Sequence, residues 1–171
     1  VVAGIAVMTI SAVVSLDLIR RLLPAIVLVT VILSLLTFVP GISARYMGAR
    51  RWIILFNVSF QPSELLKVTM VIYLAHIFSR HQGDFSDPVH SVIPPAIVVA
   101  LFAGIVLLQN DFSTAVFLGL VALSMFFVAG VPMHHFARIF AVVTPLALIA
   151  LFTREHRVRR IIAFLNPEYD P

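Results

Sequence analysis

Five ionisable residues stand inside or beside strongly apolar stretches, and their types define the chemistry open to the chain. Four fall within Gly48–Arg80, GARRWIILFNVSFQPSELLKVTMVIYLAHIFSR. Arg50 and Arg51 carry permanent charge on planar forks that can grip phosphate oxygens bidentately. Beside Trp52 at a membrane surface they could hold a lipid diphosphate; a simple pair of headgroup anchors is the other reading. Glu64 and Lys67 lie three residues apart, on one face of a helix. Gln61-Pro62-Ser63-Glu64 reads as a helix start, with Pro62 at the first position and Glu64 at the third. A glutamate there can reach back to the cap N–H and faces the positive helix end, with Phe60 and Leu65 as a hydrophobic staple. That accounts for Glu64 but not for Lys67, a cation at the wrong end of the dipole. An internal Glu64–Lys67 pair facing a polar cavity accounts for both.

Asp111 precedes Phe112-Ser113-Thr114 and reads as a helix N-cap. It also falls on the same membrane face as Arg50, Arg51 and Glu64, so the four could rim one cavity. The tail carries Arg154, Arg157, Arg159 and Arg160, read as anchors to anionic headgroups or as contacts for a bound anion. His134-His135 is not read as a metal pair, because adjacent helical residues point apart and no third ligand is near. No phosphate-binding, dinucleotide-binding, serine-hydrolase or zinc-protease motif occurs.

The elements that must position these groups are apolar helices. Val68–Ser79 alone is too short to cross a bilayer, which takes ~20 residues. Starting the helix at Pro62 completes a span but places Glu64 and Lys67 inside it, at ~2.5–3.5 kcal/mol for each charge near mid-membrane. Read in order, helix one is Val1–Leu16 and Asp17, Arg20 and Arg21 form a tight turn. Helix two is Leu22–Val39, stopped by Pro40-Gly41, and Ile42–Gln61 is a connector. Helix three is Pro62–Ser79, and Arg80–Val89 a polar loop. Helix four is Ser91–Gln109, helix five Phe112–Ala129, and helix six Phe136–Phe152 with a kink at Pro145. Thr153–Pro171 is a basic, then acidic tail.

The 171 residues are 61% hydrophobic and only 12% charged, with a mean hydropathy of +1.07. Soluble domains run near 45–50% apolar and about 25% charged, so a water-surrounded core is excluded and an integral membrane protein is implied. The expected fold is all-α, a single polytopic bundle of about six spanning helices over residues 1–171, since only helices or closed barrels satisfy the backbone in lipid. The absence of cysteine excludes disulfides and thiolate metal sites. The net charge of +4 points to anionic lipid or phosphate rather than nucleic acid. The chain opens in an apolar run without an initiator methionine and reads as an excerpt of a longer protein. Counting loop arginines alone would put the Arg50 side in the cytoplasm.

GARRWI, FQPSELLK, NDFSTA, FVAGVP and RRIIAFLNPEYDP together resemble the shape, elongation, division and sporulation (SEDS) family, of the RodA/FtsW type. The motifs run in the family's order over Gly48–Pro171; Ser113 stands where the family usually has glycine. The resemblance implies a peptidoglycan glycosyltransferase of the bacterial cytoplasmic (inner) membrane, about ten helices in all. These residues would supply its second to seventh helices and the start of a large external loop. It implies lipid II as substrate and a class B penicillin-binding transpeptidase as partner. No cofactor is evident, though a divalent cation at the diphosphate is compatible with the chemistry. Substrate-binding residues would be Arg50, Arg51, Glu64, Lys67, Asp111, Arg159 and Arg160. The family's catalytic aspartate would lie beyond Pro171, so the fragment alone is expected to be inactive. The resemblance also puts the Arg50 side outside the cytoplasm, against the charge count. A lipid II flippase or transporter, or a scaffold for the transpeptidase, are the alternatives.

Overall fold

The computed structural model describes residues 2–41, 43–46, 49–55, 58–81 and 87–152, in two units, Val1–Ala129 and Gly130–Pro171. The first holds α1 (Val2–Val13), α2 (Leu16–Leu36), β1 (Ser43–Tyr46), β2 (Ala49–Leu55), β3 (Val58–Phe60), α3 (Pro62–His81), the one-turn α4 (Pro88–Ser91), α5 (Ile93–Leu108) and α6 (Phe112–Val128). The second holds α7 (Met133–Phe152), which continues through Pro145.

The chain is mostly helical but not all-α. Ile42–Gln61, expected as a connector, contains a three-stranded antiparallel sheet in the order β1-β2-β3. Trp52, Ile53 and Ile54 favour extended backbone. Ile53 pairs with Ser43 on one side and Phe60 on the other, and its side chain is buried. The turn expected at Asp17, Arg20 and Arg21 is also corrected. All three lie in α2, because Ser15 caps it and its side chain accepts from the Leu18 N–H. Asp17 then favours the positive helix end, and Arg20 Nη1 reaches its carboxylate at 3.4 Å. The fourth expected helix starts later, at Ile93, and the sixth earlier, at Met133.

Helix α3 is the hub of the first unit, touching α2, α5, α6 and β2. Leu66, Met70, Leu74 and Phe78, four residues apart, form its buried stripe. Phe102 and Val106 of α5 and Leu118, Ala122 and Phe126 of α6 are buried as well, on the two helices that α3 touches. The α2 helix, at 21 residues, is long and apolar enough to cross a membrane; α5 and α6 are shorter apolar helices.

Helices α3 and α6 run parallel with matched starts. Gln61 bonds Asp111, Lys67 lies over the Phe117 ring, and Phe78 meets Phe126 edge-on at 4.9 Å. The first two contacts are six residues apart on both helices, a rise of ~9 Å at 1.5 Å per residue. Both N-termini therefore sit at one end of the unit, with the sheet and the C-terminal ends of α2 and α5.

Candidate functional site: a charged cluster at one end of the bundle

Asp111 is the N-cap of α6, as its position before Ser113-Thr114 implies; its side chain accepts from the Thr114 N–H. Gln109 ends α5 as its C-cap. Asn110 between them takes φ 63°, a left-handed conformation that asparagine tolerates. The turn thus folds back within three residues and leaves Asp111 buried, 4% exposed.

Arg51 reaches Asp111 from the sheet. In the β1–β2 ladder Ala44 pairs with Trp52 and Arg45 with Arg50, so Arg51 is the extra residue of a bulge. Bulges break the alternation of a strand and re-aim a side chain. Arg51 Nη1 lies 3.4 Å from Asp111 Oδ2. Gln61 Nε2 donates to the same oxygen at 3.3 Å and to Ser63 Oγ at 2.8 Å. The Thr114 N–H reaches Oδ1 at 3.3 Å. One buried carboxylate thus gathers a guanidinium, an amide and a backbone donor. Each contact is longer than the ~2.7–2.9 Å of a tight charged hydrogen bond, so Arg51 is tethered rather than saturated. Its Nε is buried and has no acceptor among the described residues.

Glu64 and Lys67 form the expected pair, Oε2 to Nζ at 2.7 Å. It is less enclosed than expected. The Lys67 side chain is 27% exposed and lies over Phe117, but that of Glu64 is 58% exposed. The reason is local: Glu64 shares the open face of α3 with Val68 and Val71, while the buried stripe runs through Leu66 and Met70. Among the described residues no ion pair or hydrogen bond joins this pair to Arg51 and Asp111.

Arg50 is described in its backbone alone, paired with Arg45 on β1. Arg159 and Arg160, and the rest of the tail from Thr153, lie outside the described residues. The His134 and His135 rings do not diverge; their centroids are 4.0 Å apart.

A buried polar seam beside the cluster escaped the sequence reading. Thr30, Ser34 and Thr37 follow one face of α2 and are buried, as are Thr69 of α3 and Gln109 of α5. Thr30 Oγ1 donates to the Ile26 carbonyl, so the 3.1 Å contact with Thr69 Oγ1 has Thr69 as donor. Gln109 Nε2 donates to the Ser34 carbonyl at 3.0 Å and to Thr37 Oγ1 at 3.1 Å. The spacing of hydroxyls at 30, 34 and 37 was the available signal, since such residues share a helix face.

The family model FTSW_RODA_SPOVE, described as cell cycle protein, matches residues 1–171. A probable peptidoglycan glycosyltransferase FtsW of Geobacter sp. (strain M18) is 37% identical over 142 residues, which cover 83% of this chain and 39% of that protein. The protein of the same name from Borreliella burgdorferi is 33% identical over 159 residues, covering 92% and 43%. The chain thus spans about two fifths of the length of these relatives. A chain solved in work on the structural coordination of polymerization and crosslinking by a peptidoglycan synthase complex shares the fold. It matches with a TM-score of 0.75 at 24% identity, over 98% of this chain and 48% of that one. By a match over its whole length, the chain belongs to the FtsW/RodA/SpoVE family of cell cycle proteins.

Proposed function

We propose that residues 1–171 form the six-span part of a multi-pass peptidoglycan glycosyltransferase in the bacterial cytoplasmic membrane, and that the Arg51 cluster receives the diphosphate of lipid II. The observation that carries this reading is Arg51 itself. It is placed by a bulge, tethered through one nitrogen to a buried carboxylate, and left with a buried Nε–H that has no acceptor among the described residues. A guanidinium has five N–H groups and the Arg51 side chain is 35% exposed, so an anion can meet the exposed part of the fork without displacing Asp111. The names of the relatives and the shared fold support the same reading.

In the reaction, an acceptor sugar hydroxyl attacks C1 of the donor sugar, the C1–O bond to the diphosphate breaks, and the configuration at C1 inverts. The hydroxyl proton goes to a general base, a step typically worth ~10²–10⁴-fold; no residue of 1–171 is assigned to it. Arg50 and Arg51 stabilise charge on the departing lipid diphosphate. Asp111 holds Arg51 in place. Glu64 and Lys67 shape the floor, with Lys67 ~9 Å further along α3 than Gln61, and Arg159 and Arg160 contact the substrate or the growing glycan. A class B penicillin-binding transpeptidase is the expected partner.

The test is Arg51→Ala in the full-length protein with its transpeptidase partner and purified lipid II. The expected result is weakened lipid II affinity and slowed polymerisation. Unchanged values of both would remove Arg51 from the site. Movement of lipid II across vesicles without polymer formation would instead identify a transporter.

A further inference from the structure

The geometry points to Gln109 as the residue that positions Asp111, and through it Arg51, against the lipid diphosphate; this rests on the reading of the Arg51 cluster above. Gln109 is fully buried. Its amide orientation follows from its partners: the Ser34 carbonyl can only accept, so the nitrogen must face it. Thr37 Oγ1 already donates to that same carbonyl at 2.7 Å, so it too accepts from Gln109. The amide therefore clips the end of α5 onto the last turn of α2, where a helix leaves carbonyls unpaired. Two residues further on stands Asp111, which reaches Arg51 and Gln61. The left-handed Asn110 joins clip to carboxylate, and the Asp111 N–H bonds the Val106 carbonyl at 3.1 Å, so the end of α5 and Asp111 are held as one piece.

The clip is poorly suited to stabilising the fold. Gln109 Oε1 is buried and meets no donor among the described residues, which costs desolvation without return. The α2 side does not need the amide, since the Ser34 carbonyl keeps the Thr37 hydroxyl when Gln109 is gone. A methionine of similar length would fill the space and strand no partner. What it would lose is the fixed distance between the end of α2 and Asp111.

The experiment uses the full-length protein with its transpeptidase partner and purified lipid II. Gln109→Met is expected to leave the thermal unfolding midpoint in detergent unchanged and to lower kcat/KM for polymerisation roughly ten- to hundredfold, the scale of a misplacement near 1 Å. In an Asp111→Asn background the same substitution should add less than about twofold, because residues acting through one another are not additive. Lipid II affinity is read alongside turnover, so the cycle closes even where Asp111→Asn abolishes polymerisation. Thr37→Val, which removes one anchor and keeps Gln109, should lower kcat/KM less. Retained activity in Gln109→Met, or an undiminished further loss in the Asp111→Asn background, would overturn the inference. So would unfolding of Gln109→Met, which would make the amide structural. If Arg51→Ala and Asp111→Asn both leave binding and turnover intact, the diphosphate site itself falls. If they do not and Gln109→Met does, only the positioning role falls.

Discussion

Two acid–base pairs, Glu64–Lys67 and Arg51–Asp111, are built in opposite ways. Glu64 and Lys67 are three residues apart on α3, and any helix over Pro62–His81 brings them together. Arg51 and Asp111 come from a strand bulge and a helix cap, sixty residues apart, and meet only when the sheet, the α5–α6 turn and α3 have packed. The local pair is half open; the assembled pair buries its carboxylate almost completely. The local pair thus needs only a helix, whereas the assembled pair reports on tertiary structure.

Substitutions should separate the two. Asp111→Ala is expected to have the largest effect. It removes an N-cap, worth roughly 0.5–2 kcal/mol, and strands Arg51, whose partial exposure keeps that loss below the ~3–5 kcal/mol of a fully buried broken pair. A total near 2–4 kcal/mol in a detergent unfolding titration fits; a loss below about 0.5 kcal/mol would mean the pair is not assembled as described. Asp111→Asn keeps the cap and should recover about 1 kcal/mol of that loss, which isolates the charge. Next comes Thr69→Val, which removes the donor to Thr30 between α2 and α3. Hydrogen bonds of this kind in membranes average ~0.6 kcal/mol, so a cost of that size is expected in the same titration. Glu64→Gln should cost less in stability, ~0.2–0.5 kcal/mol for a pair one turn apart on a helix. A larger stability loss there would show that the pair is sealed in the whole protein.

The smallest effect concerns pH. The hydrogen bond with the His90 ring, at 2.6 Å, is the main cause that lowers the Asp87 carboxyl below its usual value, aided by the Val89 N–H. A carboxyl lowered on folding contributes stability above its unfolded pKa, and the contribution is lost as pH falls through the folded value. Protection of the α4 amides, relative to their intrinsic exchange at each pH, should therefore fall only below the ordinary carboxylate range, and Asp87→Asn should remove that dependence.

How much could be read in advance tracks the same division. The Asp111 cap and the Glu64–Lys67 pair were legible because each depends on neighbours within one turn. The Asp111–Arg51 contact was legible only coarsely: counting spans put both residues on one membrane face, but nothing in local spacing says which side chains meet. The sheet was missed because a segment between apolar helices was read as a connector, although Trp52-Ile53-Ile54 carried the β-branched and aromatic signal. Gln109 was missed for a different reason. An amide at a helix end reads as turn chemistry, and its partners on α2 are more than seventy positions away.

The bulge in β2 has one more consequence. Trp52 and Arg50 both find partners across the ladder, and the residue between them is supernumerary. The sheet could close its register with one residue fewer and lose no backbone pairing. Backbone pairing therefore does not call for a residue at that position; what the added residue brings is a side chain that reaches the buried Asp111 carboxylate.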